Sequence, residues 1–174
     1  MTMPQKTPPR MTRTALVLGL LFLFDLGFSG QGFFSLLVAL AGLIILMLAC
    51  VWSLIRGQQP LARSRAARAV LYLLLGAATL GALQFHSYTS RTNAERVIAA
   101  CRAYEKANGK LPEGLEDLVP AFLPAVPRAK YVLSYGEFSY WSRADGGHTL
   151  LYVVIPPAGR RLYHFEQDRW SNLD

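Results

Sequence analysis

Long runs without a charged side chain dominate the first half of the sequence. No Asp, Glu, Lys or Arg occurs from Leu26 to Ile55 or from Ala69 to Ser90. A helix of about 20 apolar residues can cross the hydrocarbon core of a bilayer. The pattern therefore predicts a membrane protein whose residues 14–86 form three transmembrane helices, at 14–29, 33–55 and 69–86.

The first of these segments has a second interpretation. Basic residues precede it, and Gly27-Phe28-Ser29 has the small-x-small pattern of a signal-peptidase site. A cleaved signal peptide is therefore the alternative to a first span. The next predicted crossing begins at Phe33 in either case, so the rest of the topology is unaffected.

The basic residues of the first half predict the orientation of the helices. They lie before the first helix and between the second and third, at Lys6, Arg10, Arg13, Arg56, Arg63, Arg65 and Arg68, whereas Gly30-Gln31-Gly32 is an uncharged turn. Loops rich in Lys and Arg stay in the cytoplasm. We therefore expect the N-terminus, residues 1–13, and a basic loop, 56–68, to be cytoplasmic, and residues 87–174 to lie outside the cytoplasm.

Charges return after residue 87, and the pattern becomes that of an α+β domain. Apolar residues recur at helical spacing and predict an amphipathic helix that ends at Asn108-Gly109; they are Ala94, Val97, Ile98, Cys101 and Tyr104. A short helical turn follows at Leu115–Val119. Strands are predicted at 131–142, with a kink at Gly136, at 150–155 and at 162–170, joined by turns at Asp145-Gly146-Gly147 and Pro157-Ala158-Gly159. The simplest arrangement is an antiparallel meander packed on the helix.

The run AYEKANGKLPEGLEDLVPAFLPAVP, followed by GEFSYWS, LLYVVIP and LYHFEQDRW, resembles the globular part of type IV pilins and type II secretion pseudopilins. Its loop follows their pattern G-x-x-P-x-x-L-x-x-L-V-P, at Gly109, Pro112, Leu115, Leu118, Val119 and Pro120. The resemblance covers roughly the last half of the chain. It implies a membrane helix that continues as the spine of a domain covered by an antiparallel sheet.

The chain departs from that family where the third predicted span begins. Pilins carry a basic leader that ends in glycine, followed by an apolar helix with an early glutamate, and the sequence around Arg68-Ala69-Val70-Leu71-Tyr72 has neither. The resemblance therefore implies a membrane-held, pilin-like periplasmic domain in a bacterial inner membrane, not a filament subunit. We expect it to contact a protein partner, such as a pilus or type II secretion component.

The strands are rich in aromatic residues, which are common at protein interfaces. Strand alternation buries about half of them, and those left exposed form a candidate interaction surface drawn from Tyr135, Phe138, Tyr140, Trp141, Tyr163 and Trp170. In the third predicted span, small residues spaced four apart are candidates for close helix packing; they are Ala77 with Gly81, and Ala78 with Ala82.

Few residues suggest catalysis. Asp25 is the candidate polar site within the membrane; the simpler alternatives are that it reaches the outer interface or caps a short helix. His164 and Glu166, or Asp145 and His148, are too sparse for a predicted metal or acid–base site. Cys50 and Cys101 are expected to be separate apolar residues without a disulfide. We expect no cofactor and no enzyme activity, although an envelope enzyme centred on Asp25 or on His164 and Glu166 remains an alternative, as does an immunity protein against a periplasmic toxin.

Composition agrees with this division of the chain. Of all residues, 52% are hydrophobic and 17% are charged, and the formal net charge is +7. Residues 1–86 hold seven of the 18 basic residues but one of the 11 acidic residues, so the second half is nearly neutral. The excess charge is a topology signal, and we expect contact with the lipid bilayer but not with nucleic acid.

Overall fold

The structure is a computed structural model that describes residues 10–30, 32–142, 147–155 and 159–173, with only the backbone at Arg10, Ser29 and Ile155. Four helical elements lead the chain: α1 (Arg10–Phe24), a π-helical turn (Asp25–Ser29), α2 (Phe33–Ile55) and α3 (Gln59–Asn108). A 3₁₀-helix at Leu115–Leu118 then precedes four strands: β1 (Ser139–Ser142), β2 (His148–Ile155), β3 (Gly159–His164) and β4 (Arg169–Leu173).

Within the described part of the chain, three helical segments are long and apolar enough to cross a membrane. They are Met11–Phe28, Phe33–Ile55 and part of Gln59–Asn108. The prediction of three long apolar helices is therefore confirmed. The helix predicted to end at Asn108 does end there, and Gly109 follows with a φ of +74°, in the left-handed conformation that glycine adopts readily.

The chain divides into two compact units, of which the first comprises the described residues up to Gly27 and residues 32–82. Leu18, Ala39 and Leu75, one from each apolar helix, are buried together. α2 and α3 approach each other at Gly42, where a Cβ would overlap the ring of Tyr72. A glycine at this position therefore lets an aromatic ring pack directly against the backbone.

Most of the small residues that were predicted to pack the third span against its neighbours lie outside the buried face of α3. Ala77, Ala78 and Gly81 are exposed, and a Cβ on Gly81 would meet no atom within 4 Å. Ala78 does border a shallow cavity against α1, and Ala82 is half-buried. The reason is the helical phase, because the buried face of α3 runs through Leu75 and Thr79, and residues two positions further on point away from it.

The predicted loop 56–68 is mostly helical. Only Arg56–Gln58 separates α2 from α3, and Gly57 turns the chain with a φ of +69°. Pro60 lies in the first turn of α3, where its missing N–H costs no helical hydrogen bond. Arg65 donates hydrogen bonds to the carbonyl oxygen of Ala49, at 2.5 Å, and to the hydroxyl of Ser53.

The second unit comprises residues 28–30 and the described residues from 83 onward. Its sheet has the order β1-β2-β3-β4 with every pair antiparallel, which confirms the predicted meander and the α+β class. The core is formed by the predicted stripe of α3 together with the 3₁₀-helix and the inner face of the sheet. Its fully buried members include Ala94, Val97, Cys101, Leu118, Leu150 and Phe165.

Two predicted strands are wrong in extent. Residues 131–138 form a closed loop rather than a strand, because the N–H of Lys130 donates to the carbonyl oxygen of Gly136 at 3.1 Å. A Cβ at Gly136 would lie 2.8 Å from two backbone oxygens of this loop, so glycine alone fits. The strand predicted at 162–170 is interrupted by a turn, in which Asp168 has a φ of +48°, and a fourth strand follows.

Two further local predictions are confirmed. The helical turn after Gly114 is a 3₁₀-helix, and the strand predicted at 150–155 lies within β2. The predicted turn residues Asp145-Gly146 and Pro157-Ala158 lie outside the described residues, as does Gln31.

Candidate functional site

Four of the six aromatic residues predicted as a candidate interaction surface belong to the core. Tyr163 is buried, and Phe138, Tyr140 and Trp170 pack against the buried cluster. Their rings meet at angles, such as the tilted pair of Tyr163 and Trp170 with centroids 5.1 Å apart. Tyr135 and Trp141 are exposed. The six residues therefore do not form one continuous surface.

Phe138 and Tyr140 also border a groove of about 430 Å³ on the domain. The hydroxyl of Tyr140 donates to the carbonyl oxygen of Pro112 at 2.8 Å, and burial raises the pKa of this phenol, so that it remains a donor. The groove carries both signs of charge beside apolar side chains; it is lined by Gly114, Leu115, Glu116, Val126, Pro127, Arg128, Glu137, Phe138 and Tyr140.

A hydrogen-bonded chain of Ser142, His148 and Glu166 lies at the end of the β1–β2 pair. Ser142 Oγ lies 3.2 Å from His148 Nε2, and His148 Nδ1 lies 2.9 Å from Glu166 Oε1. Burial by itself would raise the pKa of Glu166, but hydrogen bonds from the ring and backbone of His148 lower it overall. With Nδ1–H donating to the carboxylate, Nε2 is left to accept from the serine hydroxyl.

His164 and Glu166, considered above only as the centre of an alternative enzyme, do not pair with each other. β3 ends at His164, whose Nε2 lies 2.9 Å from Ser171 Oγ on β4. The chain then turns, and Glu166 reaches across to His148 instead. Ser142 and His148 are directly paired between β1 and β2. The sequence did not reveal this pair because the register of the two strands was not known. Asp145, which the sequence places in a turn with His148, lies outside the described residues.

Asp25, the candidate intramembrane polar site, is buried with 3% of its surface exposed. Its Oδ2 accepts a hydrogen bond from the backbone N–H of Ser35 at 2.8 Å. Gly32, the residue that precedes α2, has no side chain to cap the helix. Asp25 therefore satisfies one of the free N–H groups at the start of α2, which is the role of a capping residue.

Cys50 and Cys101 are both free thiols. Cys101 is completely buried, and burial raises the pKa of its thiol to about 12. No group of three or more His, Cys, Asp and Glu side chains that could hold a metal ion occurs among the described residues.

Sequence patterns did not single out Lys130, which is 3% exposed. Its Nζ donates to the carbonyl oxygen of Val154 at 2.6 Å, and burial lowers its pKa from 10.5 to about 8. The neighbouring residues are anchored to α3, because Ser90 Oγ donates to the carbonyl oxygen of Ala129 and Asn93 Nδ2 donates to that of Arg128, each at 2.8 Å. These hydrogen bonds hold residues 128–130, at the start of the loop 131–135, against α3 and β2.

Comparison with protein-family models, with curated proteins and with solved structures finds no match to this chain.

Proposed function

We propose that this protein is held in a bacterial inner membrane by three spans and presents a pilin-like domain to a protein partner in the periplasm. The observation that carries the proposal is the composition of α3 along its length. Residues 69–86 of this helix are apolar, whereas Ala94, Val97 and Cys101 of the same helix form the core beneath the meander sheet. A helix that is apolar first and amphipathic later is the arrangement that the resemblance to pilins implies.

One contact supports the proposed topology. The N–H of Ser134 donates to the carbonyl oxygen of Phe28 at 3.0 Å. Phe28 ends the first apolar segment, and Ser134 belongs to the second half of the chain. In the proposed topology the turn between the first two spans and residues 87–174 lie on the same side of the membrane, and this contact agrees with that arrangement.

Reporter fusions test this topology. An alkaline phosphatase fused after Gln58 should be inactive, and one fused after Asp174 should be active, because the enzyme folds only after export. A green fluorescent protein at the same two positions should give the reverse pattern. Export of the Gln58 fusion would overturn the topology. The mass of the purified mature chain distinguishes a first span from a cleaved signal peptide.

The groove beside Phe138 is the proposed contact site for the partner. Its lining combines the apolar side chains of Leu115, Val126 and Phe138 with the charged side chains of Glu116, Arg128 and Glu137. Protein interfaces likewise combine apolar and polar groups. Exposed groove positions accept a photoreactive amino acid without disturbing the core.

In-cell crosslinking tests the partner. A photoreactive residue at Glu137 should crosslink to one protein species, which mass spectrometry identifies, and the same residue at Lys106, exposed on α3, should not. A pilus, secretion or toxin protein in the adduct decides among the accessory and immunity roles. Equal labelling at both positions, or none at Glu137 in a protein whose export is established, would refute the site.

A second candidate function, an envelope hydrolase, is favoured by Ser142, His148 and Glu166. Their hydrogen bonds have the order of a serine nucleophile, its general base and an orienting carboxylate. A fluorophosphonate probe would label Ser142 if the serine is activated, and Ser142→Ala and His148→Ala should then abolish labelling while His164→Ala retains it. A folded protein that the probe never labels would exclude this function.

A further inference from the structure

The loop 131–135 exposes large apolar side chains. Tyr131, Leu133 and Tyr135 are 65%, 80% and 57% exposed, whereas Val132 between them is buried. Large apolar side chains that are exposed together on one loop indicate a surface that contacts a membrane or another molecule.

The loop is held in this shape by its own backbone and by residues 28–30. Tyr135 has a φ of +59°, which is unusual for an aromatic residue. Val132 packs on Gly30, where a Cβ would lie 2.9 Å from Val132 Cγ1. The inward side of the loop is thus occupied, and the outward side carries the two tyrosines and the leucine.

Chain connectivity sets where this loop lies. The carbonyl oxygen of Phe28, which accepts from Ser134, belongs to the last residue of one apolar segment, and the next apolar helix begins at Phe33. Phe28 is itself 52% exposed. If these segments span the membrane, the residues between them are at its surface, and the loop 131–135 is at the same depth.

We propose that the loop 131–135 inserts into the interfacial region of the outer leaflet, with Leu133 among the acyl chains and Tyr131 and Tyr135 at the level of the headgroups. Tyrosine rings are favoured there because the ring is apolar and the hydroxyl can be hydrated. The occupant of this surface is therefore lipid. The inference rests on the proposed membrane insertion of the apolar helices, and it adds a contact between the second unit and the bilayer.

Fluorescence in proteoliposomes tests the proposal. Cys50→Ala removes the half-buried thiol, and we expect the buried thiol of Cys101 not to react, so Leu133→Cys can be labelled with a nitrobenzoxadiazole maleimide. We expect a blue-shifted emission that lipids with a headgroup nitroxide quench and aqueous iodide does not. Tyr131→Cys should behave in the same way and guards against an effect peculiar to one variant.

Two further positions serve as controls. Gln167→Cys is exposed in the turn after Phe165. The carbonyl oxygen of Phe165 accepts a hydrogen bond from Arg102 of α3. Arg102 lies 12 residues beyond Ser90, or about 18 Å further along the helix. The label on Gln167→Cys should be quenched by iodide only. Leu48→Cys is exposed on α2, and a nitroxide in the middle of the acyl chain should quench its label.

The outcomes distinguish the proposed lipid contact of the loop 131–135 from the proposed membrane insertion of the apolar helices. Quenching by lipid nitroxide at Leu48 but not at Leu133 or Tyr131 would overturn the lipid contact alone, and iodide quenching at those two positions would leave the loop as a surface for a protein partner. An absence of lipid quenching at all labelled positions would overturn membrane insertion itself.

Discussion

The carboxylate of Asp25 accepts a hydrogen bond from the N–H of Ser35, ten residues later and at the start of the next helix. The two residues belong to different helices, so the bond closes the turn between α1 and α2. It also places a hydrogen-bond acceptor at the N-terminal end of α2, where the first N–H groups of a helix have no partner within the helix. A lone acidic residue in an apolar segment thereby has a structural role.

Loss of this cap should weaken the protein. We expect Asp25→Ala to lower the free energy of unfolding by about 1 kcal/mol, the usual cost of removing a capping side chain. Asp25→Asn retains an oxygen acceptor and should keep most of the stability. Thermal unfolding in detergent measures both variants. If Asp25→Asn instead removed an activity while stability stayed unchanged, the residue would have a chemical role beyond the cap.

The packing of α2 on α3 should be sensitive to a single methyl group. Gly42→Ala would push its Cβ into the ring of Tyr72, and overpacking of this kind costs about 1–3 kcal/mol. Gly81→Ala, in open space on the same helix as Tyr72, should be neutral or gain up to about 1 kcal/mol from helix propensity. Melting temperatures in one detergent compare the pair. Equal effects of the two substitutions would contradict the close approach.

Burial of Lys130 predicts a pH dependence of stability. The pKa of this lysine is about 8 in the folded state and 10.5 when it is free. Below pH 8 the Lys130 side chain is protonated in both the folded and the unfolded chain, and the folded chain bears the full cost of burying its ammonium group. Between these values the unfolded chain binds more protons than the folded chain, so the stability contribution of Lys130 rises with pH.

The comparison with Lys130→Met isolates this contribution. The stability of the wild type relative to Lys130→Met should increase between pH 7 and pH 10, by on the order of 3 kcal/mol for a pKa difference of this size. Lys106→Met, at an exposed lysine, should show a difference that does not change with pH. Chemical denaturation at several pH values provides the measurement. A flat difference for Lys130→Met would show that its ammonium is well solvated.

Cys101 should be inert while the domain is folded. Its thiol is completely buried and its pKa is raised to about 12, so almost no thiolate is available at neutral pH. In the Cys50→Ala background we expect maleimide to modify no thiol in the native protein and one thiol after denaturation. Rapid modification under native conditions would show that the α3 stripe opens readily.

Some features of this chain are readable from sequence because they depend on local periodicity. The apolar segments, the stripe from Ala94 to Tyr104, the helix end at Gly109 and the order of the meander follow from spacing and turn residues. The stripe from Ala94 to Tyr104 packs into the core as the pattern predicts. The coarse architecture thus depends on short-range information.

Other features depend on contacts between distant residues and were not predicted. The alternation at Tyr131, Leu133 and Tyr135 is that of a strand, but Gly136 closes a loop in which the exposed side faces away from the domain. Glu166 pairs with His148 and not with its neighbour His164, because the chain turns between β3 and β4. The core aromatics could not be separated from surface ones without the register of the sheet.

The strand order has a consequence for how the domain folds. Every strand of the sheet pairs with its neighbour in sequence, so each pairing closes a short loop at little entropic cost. The contact of Arg102 with Phe165, by contrast, joins residues 63 positions apart. We therefore expect the sheet to form early and its docking on α3 to be the slow step. Pulse-labelling hydrogen exchange should find the amides of β2 and β3 protected before the thiol of Cys101 becomes inaccessible.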